Sequence, residues 1–168
     1  IGRCDSQKKP FLLKKLVVVG DDYKTLVITN KTYEDGQSGY YNKMKKLYIK
    51  DKDISWNDDH NDLMKKLATC KTYFSTWNEE TWGITTLEAL SCGIPVILNS
   101  DKNGQHASAI VVTDNSEHYK LIKTDDRDEL LAAIKSFDTV NRKQIQDEIW
   151  EKHSLEKWKD HIKNAMIE

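Results

Sequence analysis

The chain predicts an α/β fold of the Rossmann type, a parallel sheet with helices on both faces. Three observations point to it. Short apolar, β-rich runs recur along the 168 residues, segments of helical periodicity separate them, and glycine, proline and polar clusters mark the junctions. A sheet of this kind binds its ligands beyond the carboxyl ends of its strands. The length suits one domain, assigned to residues 1–168, with room for a single core and too little for two.

Taken in order, LVVVG (16–20) and TLVITN (25–30) read as strands. Residues 31–45, KTYEDGQSGYYNKMK, hold two glycines among many polar residues, which makes them loop with space for one short helix. KLYIK (46–50) is the next strand, and Asp51 and Asp53 open the loop after it. HNDLMKKLATC (60–70) places Leu63, Met64, Leu67 and Ala68 at helical spacing, a stripe for the core. TYFST (72–76) is a strand, and WNEETWGI leads from its end into the helix TTLEALSCG (85–93). Leu87, Leu90 and Ile94 mark that helix's buried side, Thr85 or Thr86 serves its start, and Gly93 suits a left-handed turn before Pro95. PVILN (95–99) and AIVVT (109–113) are the last strands, and RDELLAAIKSF (127–137) is a further helix. Residues 140–168 form a charged helical tail, whose Trp150 and Trp158 pack it onto a neighbour.

The totals restrict function. Lysine and arginine number 26 against 27 aspartates and glutamates, so no net field selects nucleic acid or an acidic membrane as the main partner. Cys4, Cys70 and Cys92 form no C-x-x-C pair and leave an odd thiol, which suits a reducing compartment, by default the cytosol. No apolar run reaches the ~18 residues of a membrane span, and no signal-like segment opens the chain. Starting at Ile1, the sequence reads as a fragment of something longer.

The chemistry concentrates between TYFST and PVILN. The helix that follows the strand presents its first amides at the carboxyl edge of the sheet, where the amides of Ile84 and Thr85 and the helix dipole make an anion site. Gly83 lets a ligand approach the backbone with no Cβ in the way. Glu88, one turn further in, is placed to accept two hydroxyl hydrogens, as a ribose diol presents them. Glu80 precedes the helix and would bind hydroxyls of whatever the phosphate carries. The bland alternative is two solvated carboxylates near a helix start, where acids are common.

The register of these residues resembles a known family. EETWGITTLEALSCGIPVI is similar to the donor-site motif of GT-B glycosyltransferases, above all the large retaining family four (glycosyl transferases group 1), with its E-G-F-G-(four residues)-E-A-(two residues)-C-G-x-P-V pattern. Glu80, Gly83, Glu88, Ala89, Gly93, Pro95 and Val96 fall in register, and Trp82 takes the aromatic position. The resemblance implies that Glu88 holds the nucleotide ribose and Glu80 the donor sugar. IGRCDSQKKPFLLKKL is similar to the family's G-R-(few residues)-K-G stretch, which implies that Arg3 and Lys9 bind the donor diphosphate, with Lys8 the alternative to Lys9 and a basic surface run the bland reading; Pro10 stands where glycine is usual. Two cations opposite a helix N-terminus would stabilise a leaving diphosphate without a metal. After PVILN the chain departs from the family pattern, and the loop 104–108 receives no role.

The resemblance covers nearly the whole chain as the donor-binding half of a GT-B fold, with an acceptor-binding half expected before Ile1. Asp51-Lys52-Asp53 spells the metal-nucleotide D-x-D of another glycosyltransferase fold, but it lies where a GT-B donor domain lays its base, and no metal is assigned. His60, His106, His118, His153 and His161 show no ligand spacing and read as surface residues. The expected function is the nucleotide-sugar-binding domain of a retaining, metal-independent hexosyltransferase, inactive in isolation and needing no cofactor. Its donor is a nucleoside-diphosphate sugar, uridine favoured, and its acceptor a glycan, lipid, protein or modified DNA base. The other reading is a non-catalytic α/β module that binds a nucleotide or a partner.

Overall fold

A computed structural model describes residues 27–29, 54–56, 59–76, 83–100, 113–123, 126–157 and 159. Its elements run β1 (Val27–Thr29), β2 (Ile54–Trp56), α1 (His60–Ala68), β3 (Tyr73–Ser75), α2 (Ile84–Ser91), β4 (Val96–Asn99), β5 (Tyr119–Ile122), α3 (Arg127–Ser136) and α4 (Arg142–His153). β1 and β2 pair in parallel, with Val27 opposite Ile54. β3, β4 and β5 form a parallel sheet in that order, with Tyr73 opposite Val96 and Val96 opposite Tyr119. The parallel direction follows from connection: a helix lies between β3 and β4 and carries the chain back to the start of the sheet.

β4 is central, and all four of its residues are buried. Its period of two divides the core. Val96 and Leu98 join Leu67 of α1, Ala89 and Leu90 of α2, and Ile145 and Ile149 of α4. Ile97 points the other way, into a cluster with Ile122 and with Leu130, Ala133 and Ile134 of α3. Helices therefore cover both faces, which is why the strand reads as a continuous apolar run.

Capping sets the starts of three helices. Asp59 accepts from the Asp62 amide at 2.9 Å, Asp126 from the Glu129 amide at 2.9 Å, and Asn141 from the Lys143 and Gln144 amides at 3.1 and 3.2 Å. Each such cap is worth about 1 kcal/mol. Among the described residues no helix is long and apolar enough to cross a membrane.

α4 fastens the ends of the first two helices. Arg142 donates from Nε to the Gly93 carbonyl at 3.2 Å and from Nη2 to the Ala68 carbonyl at 2.9 Å. Gln146 Nε2 and Trp150 Nε1 donate to the Ser91 carbonyl at 3.0 and 3.3 Å. These carbonyls lie at helix C-termini, where no amide of the same helix reaches them, and cations or donors stabilise them. Trp150 thus packs onto a neighbour as expected, although its side chain stays largely exposed. Trp158 lies outside the described residues.

Several expectations change. Strands β2 and β5 were not predicted, because ISW is three residues long and Lys120 interrupts YKLI; both depend on ladders supplied by β1 and β4. Thr113 ends the expected strand AIVVT but lies outside any strand, and 109–112 fall outside the described residues, as do LVVVG and KLYIK. Ala68 is exposed rather than core, since the last turn of α1 lifts it out beside the Arg142 guanidinium. His118 is no surface residue.

It is 2 % exposed, and its ring joins the turn before β5 to α4. Nε2 lies 3.2 Å from Glu148 Oε2 and Nδ1 3.1 Å from Thr113 Oγ1. A carboxylate only accepts, so Nε2 carries the hydrogen and Nδ1 accepts from the threonine hydroxyl. Burial holds the His118 pKa below the ordinary histidine value, against the pull of Glu148 and Glu117. Hydrogen bonds from Asn115 and Gln144 hold Glu148 below its ordinary value. A histidine kept neutral in the folded state contributes stability that is present above its unfolded pKa and lost as pH falls below about 6.5. Glu148 acts in the same direction at lower pH, below about 4.3. The melting temperature should therefore drop between about pH 7.5 and 5.5, and His118→Gln should flatten that slope; equal slopes in both proteins would assign it elsewhere.

Candidate functional site

β3 and β4 end side by side, and Asn99 donates Nδ2 to the Thr76 carbonyl at 3.2 Å, tying the two carboxyl ends together. Beyond that edge the chain enters α2 through Gly83, in the left-handed conformation at φ 60° and ψ 45°. Glycine adopts it without the strain that a Cβ brings. The first helical bond runs from the Leu87 amide to the Gly83 carbonyl at 2.8 Å. The helix thus begins at Ile84 with Gly83 as its N-cap, and neither Thr85 nor Thr86 caps it. Thr86 is buried in the helix interior. The Thr85 hydroxyl meets the Tyr73 hydroxyl at 3.0 Å, which fastens the first turn of α2 to β3.

α2 differs from the side-chain-capped helices at this end. It has no capping side chain and no acidic residue in its first turn. Its leading amides and the positive end of its dipole meet no carboxylate of the helix itself, an arrangement suited to an anion.

Glu88 stands one turn beyond Ile84 on the same side of the helix, since residues four apart share a face. The Ile84 side chain is 68 % exposed and that of Glu88 21 %. Burial raises the Glu88 pKa above the ordinary carboxylate value, and His60 opposes the rise. His60 opens α1, and its Nδ1 lies 3.6 Å from Glu88 Oε1. Burial also pushes up the thiols of Cys70 and Cys92, Arg142 opposing in both, and a protonated thiol is a poor nucleophile.

Gly83, Ile84 and Thr85 therefore form the start of one helix, at the carboxyl edge of the sheet, with Glu88 one turn further along it. An anion at the helix start with hydroxyl groups reaching Glu88 would fill this arrangement. Arg3, Lys9, Glu80 and Trp82 lie outside the described residues, as do Asp51, Asp53 and the loop 104–108. His60 carried no sign of its position. Its proximity to Glu88 arises from the packing of α1 on α2, which no spacing within either helix reveals.

The family described as glycosyl transferases group 1 matches residues 1–148. Among solved structures, the chain is similar to HepE of Anabaena in complex with UDP, at 14 % identity and a TM-score of 0.74, covering 98 % of this chain and 47 % of that one. HepE in complex with UDP-glucose gives 15 % identity and a TM-score of 0.59, covering 90 % and 47 %. The catalytic domain of the cholesterol-α-glucosyltransferase from Helicobacter pylori gives 24 % identity and a TM-score of 0.60, covering 90 % and 92 %. The chain spans about half the length of HepE. No curated protein sequence matches it. At these identities the structural likeness is one of fold: a Rossmann-like parallel sheet between helices, of the kind found in GT-B proteins.

Proposed function

The chain belongs to the glycosyl transferases group 1 family, and from that premise we propose that it is the donor-binding half of a glycosyltransferase that uses a nucleoside-diphosphate sugar. The observation that carries the reading is the start of α2: a left-handed glycine, amides with no capping side chain, and Glu88 one turn in, at the carboxyl edge of the sheet. The amides of Ile84 and Thr85 receive the diphosphate, and Glu88 receives the ribose diol. Arg3 and Lys9 complete the diphosphate clamp, Glu80 meets the donor sugar, and Trp82 belongs to the same donor site.

In the transfer, an acceptor hydroxyl attacks the anomeric carbon as the carbon–oxygen bond to the diphosphate breaks. The leaving oxygens gain negative charge, which fixed cations and helix amides stabilise without a metal ion. Retention of anomeric configuration, a hexose as the transferred group and a cytosolic setting belong to the same proposal, as does an acceptor-binding half outside these residues. Uridine diphosphate is the nucleotide to test first, since HepE was solved with UDP and with UDP-glucose.

Glu88→Ala should weaken binding of uridine diphosphate by about 1.5–3 kcal/mol, the worth of a charge-assisted hydrogen bond. Titration calorimetry of both proteins measures it. Equal affinities would overturn the assignment of Glu88 to the ribose.

A further inference from the structure

His60 and Glu88 belong to different helices, and packing brings the histidine ring to within 3.6 Å of the carboxylate. We infer that His60 is a positioning residue for the ribose-binding carboxylate, holding the Glu88 side chain from α1. This rests on the reading of Glu88 given above. Geometry supplies the first support. The imidazole approaches a single carboxylate oxygen, Oε1, through Nδ1, which leaves Oε2 and the remaining lone pairs of the group for a diol.

Electrostatics supplies the second. Burial of Glu88 favours its neutral form, in which one oxygen becomes a donor and the carboxyl loses an acceptor that paired hydroxyls need. A protonated imidazole beside it favours the ionised form, so His60 counters burial where the histidine is charged. Among the described residues, the ionisable groups that act on this pair can be named. Glu88 faces His60 from α1 and the Cys92 thiol one turn along α2. On α1, the Asp59 carboxylate accepts from the Asp62 amide at 2.9 Å, and the Asp62 carboxylate pairs with Lys65 at 3.3 Å. Both flanking acids of His60 are thus engaged within their own helix. Glu88 is the acid that α2 brings to the ring.

The role predicts an effect of pH that a packing role would not produce. At 3.6 Å Nδ1 makes no hydrogen bond to Oε1, so the pairing is one of charge: imidazolium favours the ionised carboxylate, and removing His60 should matter most on the acid side. The test is calorimetric titration of uridine diphosphate into wild type, His60→Ala, His60→Lys and Glu88→Gln between about pH 5.5 and 8. His60→Ala should lose roughly two- to fivefold in affinity near the acid end, the scale of a partly exposed ion pair. Its loss at the alkaline end should be smaller, and His60→Lys, which keeps a positive charge, should retain acid-side binding. The His60 side chain is exposed, so both His60 variants should melt as wild type does. A His60→Ala profile superimposable on wild type, in a protein where Glu88→Gln has lost affinity, overturns the role of His60 while leaving the ribose assignment intact. Unchanged affinity in Glu88→Gln, or no binding by wild type, overturns the reading beneath it and the inference with it.

Discussion

Gly93→Ala should destabilise the protein by about 2–5 kcal/mol, with two effects adding: strain in a left-handed conformation and a collision with backbone. Gly93 has φ +71°, which side chains with a Cβ rarely adopt. A Cβ built there would stand 2.4 Å from the Arg142 carbonyl oxygen and 3.1 Å from its carbon. Those are backbone atoms of the first turn of α4, so relief requires moving the helix rather than rotating a side chain. Moving it would loosen the bonds from Arg142 to the Gly93 and Ala68 carbonyls. The expected fall in melting temperature is roughly ten degrees for a chain of this size. Urea denaturation of both proteins gives the free energy. An unchanged midpoint would mean that α4 yields without cost and that its seat against Gly93 is not a determinant of the fold.

Leu90→Ala should cost about 2–5 kcal/mol, through lost burial and the cavity left behind. Leu90 has no exposed surface and sits among Leu67, Val96, Leu98, Ile145 and Ile149. It anchors the helix that also presents the Ile84 and Thr85 amides and Glu88, so one substitution tests stability and site together. Chemical denaturation should show the loss. Uridine diphosphate titrated at a temperature where the variant remains folded should bind no better than to wild type. A stability change below about 1 kcal/mol would show that neighbouring side chains collapse into the space, against the rule for a well-packed core.

The α/β class and most of the helices and strands were legible because each rests on a short-range pattern. β4 reads as a fully apolar run because both its faces are covered. α1 and α3 read from helical spacing, and Gly93 from its place after a helix and before a proline. The placement of Gly83 at the helix start and of Glu88 one turn beyond Ile84 was legible for the same reason: it is a matter of neighbours along the chain. The helix starts earlier than the threonines imply, because its cap is a glycine in a left-handed conformation and no side chain caps it.

Local patterning thus sufficed for most of the elements, their order and the register of residues around the start of α2, since periodicity, turn chemistry and strand-to-helix junctions act over a few residues. Packing was needed for the remainder. β2 and β5 exist through ladders with other strands. Arg142 finds its carbonyl partners 49 and 74 positions away. His118 reads as one more polar residue until the turn before β5 and α4 close around it, and His60 gains its relation to Glu88 when α1 lies against α2. Such contacts join residues far apart in the chain, whose separation leaves no periodic trace. Their burial and charge balance, and so the behaviour of the site with pH, follow from the assembled fold.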